Sequence, residues 1–353
     1  MAAIFNQAPL SPDRSVTVDI LRGIAVFTMV AANLAGNVLA EPHPFLFRFY
    51  GTFAAPMFIM LSGMMVAANQ ARGRHGLRYY LLRGSLVVLV GMLIDILIWQ
   101  YYPMVSFDVL YLIGIAMPVA YLATHLPYMA QWILMISVFL LTPLIQLWLG
   151  YVPTSVDWPI NEHSPAELLY SPPDVIGHFL ADGWFPFFPW IGFSLLGVCL
   201  HSLRQRFQAS FTSLLERSGW LLLASGLVAW LLFPGPLYIR SGYSELFYPP
   251  TYGYMLTAMG IVFLTFYQID RYRDLAFWTP WRYLGQCSLL AYVLQYVLIR
   301  YFFAALWPLS TFPVFTCLYV VMMLVLFAVA YLIHWLKARH PKQPFLVRFF
   351  IGS

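Results

Sequence analysis

The sequence has 353 residues, of which 61% are hydrophobic, 18% aromatic and only 9% charged, and its net charge is +5. Soluble domains carry roughly 25% charged residues, so this composition excludes an ordinary water-soluble globular protein. The basic residues stand mainly between apolar segments, where they face anionic lipid headgroups, so the positive charge gives no reason to expect a nucleic-acid partner. The chain is predicted to be an integral membrane protein, embedded in the lipid bilayer.

Apolar runs of about twenty residues are long enough to cross a ~30 Å hydrocarbon core as helices. The predicted spans lie near 17–40, 45–69, 78–100, 106–124, 128–150, 185–203, 218–234, 250–269, 284–306 and 313–337. The long loop 151–184 is rich in proline, acidic and aromatic residues, and a loop of this length is typical of a lid or a binding loop. The predicted fold is an all-α polytopic membrane protein, a bundle of about ten transmembrane helices that forms a single domain over 1–353.

The positions of the basic residues predict the orientation of the bundle. With both termini cytoplasmic, every lysine and arginine except Arg48, Arg240 and Arg300 falls on the inner side. The positive-inside rule therefore favours an even number of spans, with both termini on the cytoplasmic side of the plasma (inner) membrane. The first sixteen residues lack the features of a cleaved signal peptide, so the first span is predicted to be its own insertion signal.

Familiar catalytic and metal-binding motifs are missing from the sequence. Cys199, Cys287 and Cys317 are scattered without C-x-x-C spacing, so we expect no disulfide framework and no metal site. The sequence contains no G-x-S-x-G, H-E-x-x-H, P-loop or glycine-rich dinucleotide motif. Any chemistry must therefore rest on dispersed polar groups in or near the membrane.

Polar residues of the first span stand on one face of the predicted helix. Asp19 and Arg22 are three residues apart, so they can form a structural ion pair, although both could also simply anchor the helix at the interface. Asn33 lies eleven residues after Arg22, which at 100° per residue returns it to within about 20° of the same face. An amide at this depth is predicted to face the bundle interior, where it bonds to another helix or lines a cavity.

His43 stands between Pro42 and Pro44 in the short link after the first span. The prolines predict an extended and stiff backbone. Imidazole exchanges protons near neutral pH, so it can accept a proton from an amine or a hydroxyl. The spacing alone leaves two interpretations open, a solvated loop histidine and a general base.

Asp95 and Asp108 flank the turn between the third and fourth spans. A carboxylate within the membrane is a functional candidate, because its burial is costly unless it is paired. Either could orient an imidazole or bind a polar substrate, but Asp108 is equally suited to be the N-cap of the fourth span. Gln295 in the ninth span is predicted to hydrogen-bond between helices.

These residues lie in segments that resemble a known family. The first span reads RSVTVDILRGIAVFTMVAAN from Arg14 to Asn33. The segments FRFYGTFAAPMFIMLSGMMVA (47–67), YYLLRGSLVVLVGMLI (79–94), FDVLYLIGIA (107–116), FPFFPWIGFSLLGVCL (185–200), FYPPTYGYML (247–256) and LGQCSLLAYVLQ (284–295) follow in order. Together they are similar to the heparan-α-glucosaminide N-acetyltransferase family and its bacterial YeiB-type relatives. Bacterial O-acyltransferases of envelope polysaccharides share the start but have a histidine where this chain has Asn33.

The resemblance implies a CoA-dependent acyltransferase. Such an enzyme moves an acetyl group from cytoplasmic acetyl-CoA, a co-substrate, to an amino or hydroxyl group of a sugar or envelope glycan on the outer face. It implies that His43 is catalytic and that Asn33 is its neighbour in the active site, and it is compatible with a homodimer. The link here is shorter than in the family and there is no large domain outside the membrane, so heparan sulfate is not carried over as the acceptor.

The predicted donor site lies at the cytoplasmic mouth of the bundle. The pantetheine arm would thread inward while the phosphates stay outside, bound by Arg78 and Arg83, because a guanidinium matches a phosphate bidentately. The alternative is that both arginines are ordinary interface residues.

The predicted chemistry lies at the opposite face. His43 removes a proton from the acceptor as it attacks the thioester, Asn33 stabilises the oxyanion or fixes the imidazole, and Asp108 or Asp95 orients His43. Direct transfer and an acetyl-histidine intermediate both remain open.

Two other function classes fit parts of the sequence. A transporter or channel for a small envelope metabolite would use the same acidic and basic groups to line a path, although the chain lacks the paired broken helices typical of transport sites. A non-catalytic membrane scaffold is the third class. Thermal stabilisation of the purified protein by CoA or acetyl-CoA would distinguish an acyltransferase from a transporter and from a scaffold.

Overall fold

The computed structural model describes residues 15–152, 157–170, 172–235, 245–340 and 343–352. Arg14, Arg240 and Lys342, which entered the sequence predictions, lie outside these ranges. Within them the chain is helical without any named strand, and two isolated bridges join Leu39 to Ser310 and Tyr101 to Pro159. The prediction of an all-α polytopic membrane protein is confirmed.

The described residues form sixteen α-helices. The α-helices are α1 Val16–Val38, α2 Phe45–Gly51, α3 Ala54–Ala71, α4 Leu77–Ile94, α5 Val109–Ala123, α6 Tyr128–Leu149, α7 Pro165–Tyr170, α8 Pro172–Gly177, α9 Phe187–Arg206, α10 Phe211–Leu232, α11 Tyr252–Tyr272, α12 Thr279–Gln286, α13 Ser288–Leu298, α14 Ala304–Leu306, α15 Phe312–Arg339 and α16 Phe345–Ile351. Short π-helical segments Asp95–Trp99, His178–Asp182 and Ile299–Phe303 follow α4, α8 and α13, and the 3-10 turn Ala276–Trp278 precedes α12.

In the described part of the chain, nine helical segments are long and apolar enough to cross a membrane, counting α2 with α3 as one. The predicted span 106–124 corresponds to α5, which has 15 residues and is shorter than the others. At 1.5 Å per residue, α5 is about 22 Å long. The helix begins late because Phe107 has a left-handed backbone with φ 57° and Asp108 occupies the N-cap.

Two predicted spans contain breaks that the apolar sequence does not reveal. The span 45–69 is divided into α2 and α3 at Thr52, whose hydroxyl donates to Arg48 O at 2.6 Å and accepts from Leu246 N at 2.9 Å. The span 284–306 is interrupted at Cys287, between α12 and α13. Breaks at membrane depth are tolerated where protein groups satisfy the freed backbone atoms, as Thr52 does.

Helix α1 lies at the centre of the bundle, packed closely against α12. Ser15 is its N-cap, and its side chain accepts from Val18 N at 3.5 Å. A Cβ at Gly285 would lie 1.8 Å from Asp19 O, and one at Gly23 would lie 1.9 Å from Trp281 O, so only glycine allows the two backbones to approach this closely. Small residues at helix contacts are the usual means of close packing in membranes. This contact places the polar face of α1 against the junction of α12 and α13.

Candidate functional site

A cavity of about 850 Å³ runs through the bundle beside α1. On α3 its wall extends from Ala54 to Arg72, which at 1.5 Å per residue corresponds to about 27 Å along the helix. This length is close to the ~30 Å thickness of a hydrocarbon core, and the volume lies in the upper part of the ~300–1,000 Å³ range of small-molecule sites. The cavity can therefore hold an elongated ligand that reaches across most of the bundle.

One end of the cavity, here called the basic end, is lined by arginines. They are Arg72, Arg74, Arg83, Arg204 and Arg273. Asp270 lies 3.8 Å from Arg204 and 3.5 Å from Arg273, so its carboxylate offsets part of this charge. Arg83 Nη1 donates to Tyr79 OH at 3.3 Å. Guanidinium groups concentrated at a cavity mouth favour a ligand with several negative charges, such as a set of phosphates.

The two arginines predicted to bind the donor are separated by the structure. Arg83 lines the basic end, whereas Arg78 is exposed and lies outside the residues that line the cavity in the described chain. Both side chains belong to α4, but five positions along a helix do not bring two residues to the same face. Of these two arginines, the geometry therefore favours Arg83 as the one that binds a ligand in the cavity.

An aromatic pair stands at the basic end. The rings of His75 and Tyr79 stack with centroids 3.7 Å apart and planes inclined by 9°. Burial lowers the pKa of His75 from its ordinary value of 6.5, and the positive charges of Arg83 and Arg74 lower it further. At neutral pH, His75 therefore presents a neutral ring and adds no charge to this end.

Asp19 and Arg22 line the cavity and bond to the α12–α13 junction. Gln286 Nε2 donates to Asp19 Oδ2 at 3.2 Å, and Arg22 Nη2 donates to Ser288 Oγ. Asn33 lines the same cavity, so α1 presents all three polar groups on one face, as their helical spacing predicts. A direct ion pair between Asp19 and Arg22 stays a prediction.

The other end of the cavity, here called the polar end, carries Asn33 and Asp108. Asn33 is 5% exposed, and its Nδ2 has no hydrogen-bond partner among the described residues. Asp108 occupies the N-cap position of α5, but its side chain makes no capping hydrogen bond. Its Oδ2 instead accepts from Tyr292 OH at 2.6 Å, and that hydroxyl lies 3.3 Å from Tyr296 OH. Asp108 therefore occupies the N-cap position by its backbone only, and the residue lines the cavity.

Sequence reasoning missed three residues of the polar end. Tyr292 and Tyr296 follow Ser288 at intervals of four, so their shared helix face was visible in the sequence. Glu245 is 7% exposed and lines the cavity. It interacts favourably with the charge of Arg48. The available signal was a carboxylate just before an apolar, proline-rich segment in a chain with few charges.

His43 lies outside the residues that line the cavity in the described chain. Its Nε2 is 3.2 Å from Leu39 O, and because a carbonyl only accepts, Nε2 carries the proton and Nδ1 the lone pair. Nδ1 is buried and has no partner among the described residues. The link is held by hydrogen bonds from Ala40 N to Ser310 O at 3.0 Å and from Ser310 N to Val38 O at 2.6 Å. The lone pair of Nδ1 is therefore not engaged by a described residue, but the atom is buried and His43 does not line the cavity.

The acidic residues predicted to orient His43 have other partners. Asp95 is buried and accepts a hydrogen bond from Tyr111 OH, and Asp108 accepts from Tyr292. Gln295 is fully buried, and neither atom of its amide finds a hydrogen bond within the described residues, so the predicted interhelical bond is not observed there. Across the described ranges, no group of three or more His, Cys, Asp or Glu side chains is arranged to hold a metal ion.

Comparison with known proteins adds one finding. The family model described as heparan-alpha-glucosaminide N-acetyltransferase, catalytic, matches residues 14–233, which is more than half of the chain. No curated protein matches the sequence. The matched region contains Asn33, His43, Arg83 and Asp108, whereas Glu245, Tyr292 and Tyr296 lie beyond it.

Proposed function

The chain belongs to the heparan-alpha-glucosaminide N-acetyltransferase catalytic family, and from this premise we propose that it transfers an acetyl or acyl group from acyl-CoA to an amino or hydroxyl group of a sugar or envelope glycan. The donor enters at the basic end and the acceptor at the polar end. The observation that supports this proposal is the continuous cavity from the arginines to Asn33 and Asp108.

At the basic end, Arg83 binds a donor phosphate through its guanidinium, with Arg72 and Arg74 beside it. The pantetheine arm extends into the cavity past Arg22 and toward Asn33. By the positive-inside rule this end faces the cytoplasm, and the protein resides in the plasma (inner) membrane with both termini inside. Acyl-CoA is made and kept in the cytoplasm, so the orientation matches the supply of the donor.

At the polar end, the acceptor nitrogen or oxygen attacks the thioester carbonyl. The new C–N or C–O bond forms as the C–S bond breaks, and the CoA thiolate leaves and is then protonated. Asn33 Nδ2 donates a hydrogen bond to the developing oxyanion, a type of interaction worth about 2.7–4 kcal/mol in measured cases. Asp108, held by Tyr292, and Glu245 bind the polar groups of the acceptor.

His43 is the proposed general base, with Nδ1 as the atom that accepts the acceptor's proton. For this step the imidazole turns from the α1–α2 link toward the cavity, which Gly51 of α2 and Ala54 of α3 line. An acetyl-histidine intermediate would use the same lone pair, so both routes start from the Nε2–H tautomer that Leu39 O selects before the ring turns.

The test is transfer of label in membrane vesicles. Vesicles with the full-length chain receive acetyl-labelled acetyl-CoA at the face of the basic end, and D-glucosamine is the probe acceptor on the other side. We expect covalent label in the acceptor or in an endogenous membrane glycan. Movement of a solute across the vesicle membrane without covalent transfer would contradict the proposal and favour the transporter class.

A further inference from the structure

The C-terminal segment, residues 345–352, folds back onto the basic end of the cavity. Phe349, Phe350 and Gly352 line the cavity, and Phe349 is only 4% exposed. The segment lies beyond residues 14–233, so the family match does not account for it. The buried aromatic side chain of Phe349 shows that the segment packs against the basic end of the cavity.

The first contact of this segment is with Arg83. The Arg83 guanidinium lies over the Phe349 ring, 5.5 Å from its centroid, and the same guanidinium donates to Tyr79 OH. A cation over an aromatic face is attracted by the ring quadrupole. Arg83 is thus held from two sides, by its own helix and by the C-terminal segment. Holding a binding group in place before the ligand arrives reduces the entropy lost on binding.

The second contact fixes the end of α16. Lys337 Nζ, near the end of α15, lies 2.5 Å from Ile351 O and 2.6 Å from Gly352 O. An ammonium at the last carbonyls of a helix satisfies acceptors that have no partner within the helix. The ammonium therefore attaches the segment to the last membrane span.

The third contact requires glycine. Gly352 has φ +65°, and a Cβ there would lie 2.2 Å from Gln286 O. Both the left-handed backbone and the close approach exclude a side chain. Gln286 in turn donates to Asp19, which lines the cavity. The segment therefore reaches from α15 to α4 and to the α12–α13 junction.

We propose that residues 345–352 form one wall of the binding site for the CoA-type donor. Phe349 positions Arg83 for a phosphate, and Phe350 supplies an apolar surface for the pantetheine chain. The segment contributes to donor affinity and takes no part in the chemistry at the polar end. This inference rests on the proposed function, because it assumes that the basic end receives the donor.

The test measures binding of CoA to the purified full-length protein in detergent. Phe349→Leu removes the ring below Arg83, and Gly352→Ala displaces the end of the segment. Gly150→Ala is the matched control for the latter, since Gly150 also has a positive φ of +79° but no atom within 4 Å of the added Cβ. We expect both segment variants to weaken CoA binding about tenfold, or about 1.4 kcal/mol, and the control to bind like wild type.

The result for wild type and the results for the variants distinguish failure of the proposed function from failure of this inference. If wild type does not bind CoA, the proposed function fails before any variant is compared. If wild type binds and both segment variants bind equally well, the inference about the segment is wrong and the proposed function stands. Should Gly352→Ala not fold, Lys337→Met and Lys337→Arg replace it. The methionine variant is then expected to lose affinity and the arginine variant, which keeps the donors, to retain it.

Discussion

The basic and polar ends of the cavity are built in different ways. At the basic end most of the arginines lie at helix ends or in loops, whereas Arg83 lies within α4. Arg204 and Arg273 are partly exposed and share Asp270. At the polar end the charged groups are few. Glu245 is buried, and Asp108 is partly buried and accepts a hydrogen bond from the Tyr292 hydroxyl. Electrostatic interactions are stronger where water is excluded, so single groups at the polar end can influence a reaction. The basic end instead suits binding of a charged ligand that remains partly solvated.

This contrast predicts that changes at the polar end reduce turnover, whereas changes at the basic end weaken donor binding.

Replacing His43 by alanine should reduce acetyl transfer the most. Loss of a general base costs about 10²–10⁴-fold in rate, and CoA affinity should be unchanged because His43 lies away from the arginines. Initial rates with labelled acetyl-CoA, together with CoA binding, provide the measurement. His163→Ala is the control, since His163 is partly exposed in the long loop, where it pairs with Glu167 at 2.9 Å and stacks on Trp158, away from the cavity lining. Full transfer activity in His43→Ala would end its assignment as the base.

Replacing Asn33 by alanine should reduce kcat by about 10²–10³-fold, the usual effect of losing an oxyanion donor. The donor KM should change little, because Asn33 is at the polar end. Asn37→Ala is the matched control one helical turn later, where the amide donates to Asn33 O at 2.9 Å. If the variant instead raised the donor KM at constant kcat, Asn33 would belong to donor binding and the division between the ends would be lost.

Replacing Arg83 by methionine should weaken CoA binding by roughly 10–100-fold, as expected for a charge-assisted hydrogen bond of about 1.5–3 kcal/mol. The rate at saturating donor should stay near that of wild type. Arg78→Met is the matched control on the same helix, because Arg78 is exposed and outside the cavity lining. Equal losses in both variants would show that the arginines act only through general positive charge. Repeating the titration at high salt tests this, because salt screens such long-range attraction.

The basic end and the long loop 151–184, whose described residues lie outside the cavity lining, should also differ in their response to acid, and this effect is the smallest of the series. The lowered pKa of His75 means that the unfolded chain takes up a proton more readily than the folded one. Stability is therefore expected to fall as the pH drops below about 6.5. Hydrogen bonds from the Ser164 amide, and then from His163 and the Ser164 hydroxyl, lower the pKa of Glu167 below its ordinary 4.5. The stability from Glu167 is present above pH 4.5 and is lost only as the pH falls further.

Thermal unfolding between pH 7.5 and pH 5.0 measures this difference. In wild type, protonation of His75 should lower the unfolding temperature by about a degree or less, and His75→Gln should abolish this fall. Glu167→Gln should leave the dependence of the unfolding temperature on pH unchanged over this range. A larger acid response from Glu167 than from His75 would contradict the assignment of the two environments.

Much of the fold was predictable from the composition and from the periodicity of the α-helix. A chain with few charges must satisfy its backbone within helices once it enters lipid, so the all-α polytopic class was predictable. The common face of Arg22 and Asn33 followed from 100° per residue alone, and both line the cavity. The breaks at Thr52 and Cys287 were not predictable, because hydropathy is continuous across them. The Thr52 hydroxyl also accepts from Leu246 N, 194 positions away, and this contact exists only in the folded chain.

The all-α class and the shared face of polar residues on α1 were predictable from the sequence, because helix geometry is local. Which groups meet depends on the tertiary structure. Asp108 bonds to Tyr292, 184 positions away, and Asp19 bonds to Gln286, 267 positions away. The structure also turned Arg83 into the cavity and left Arg78 outside it. In a uniformly apolar chain, contacts between side chains that are distant in sequence depend on how closely the helices pack at residues such as Gly285. No local pattern predicts which distant residue a given side chain will contact.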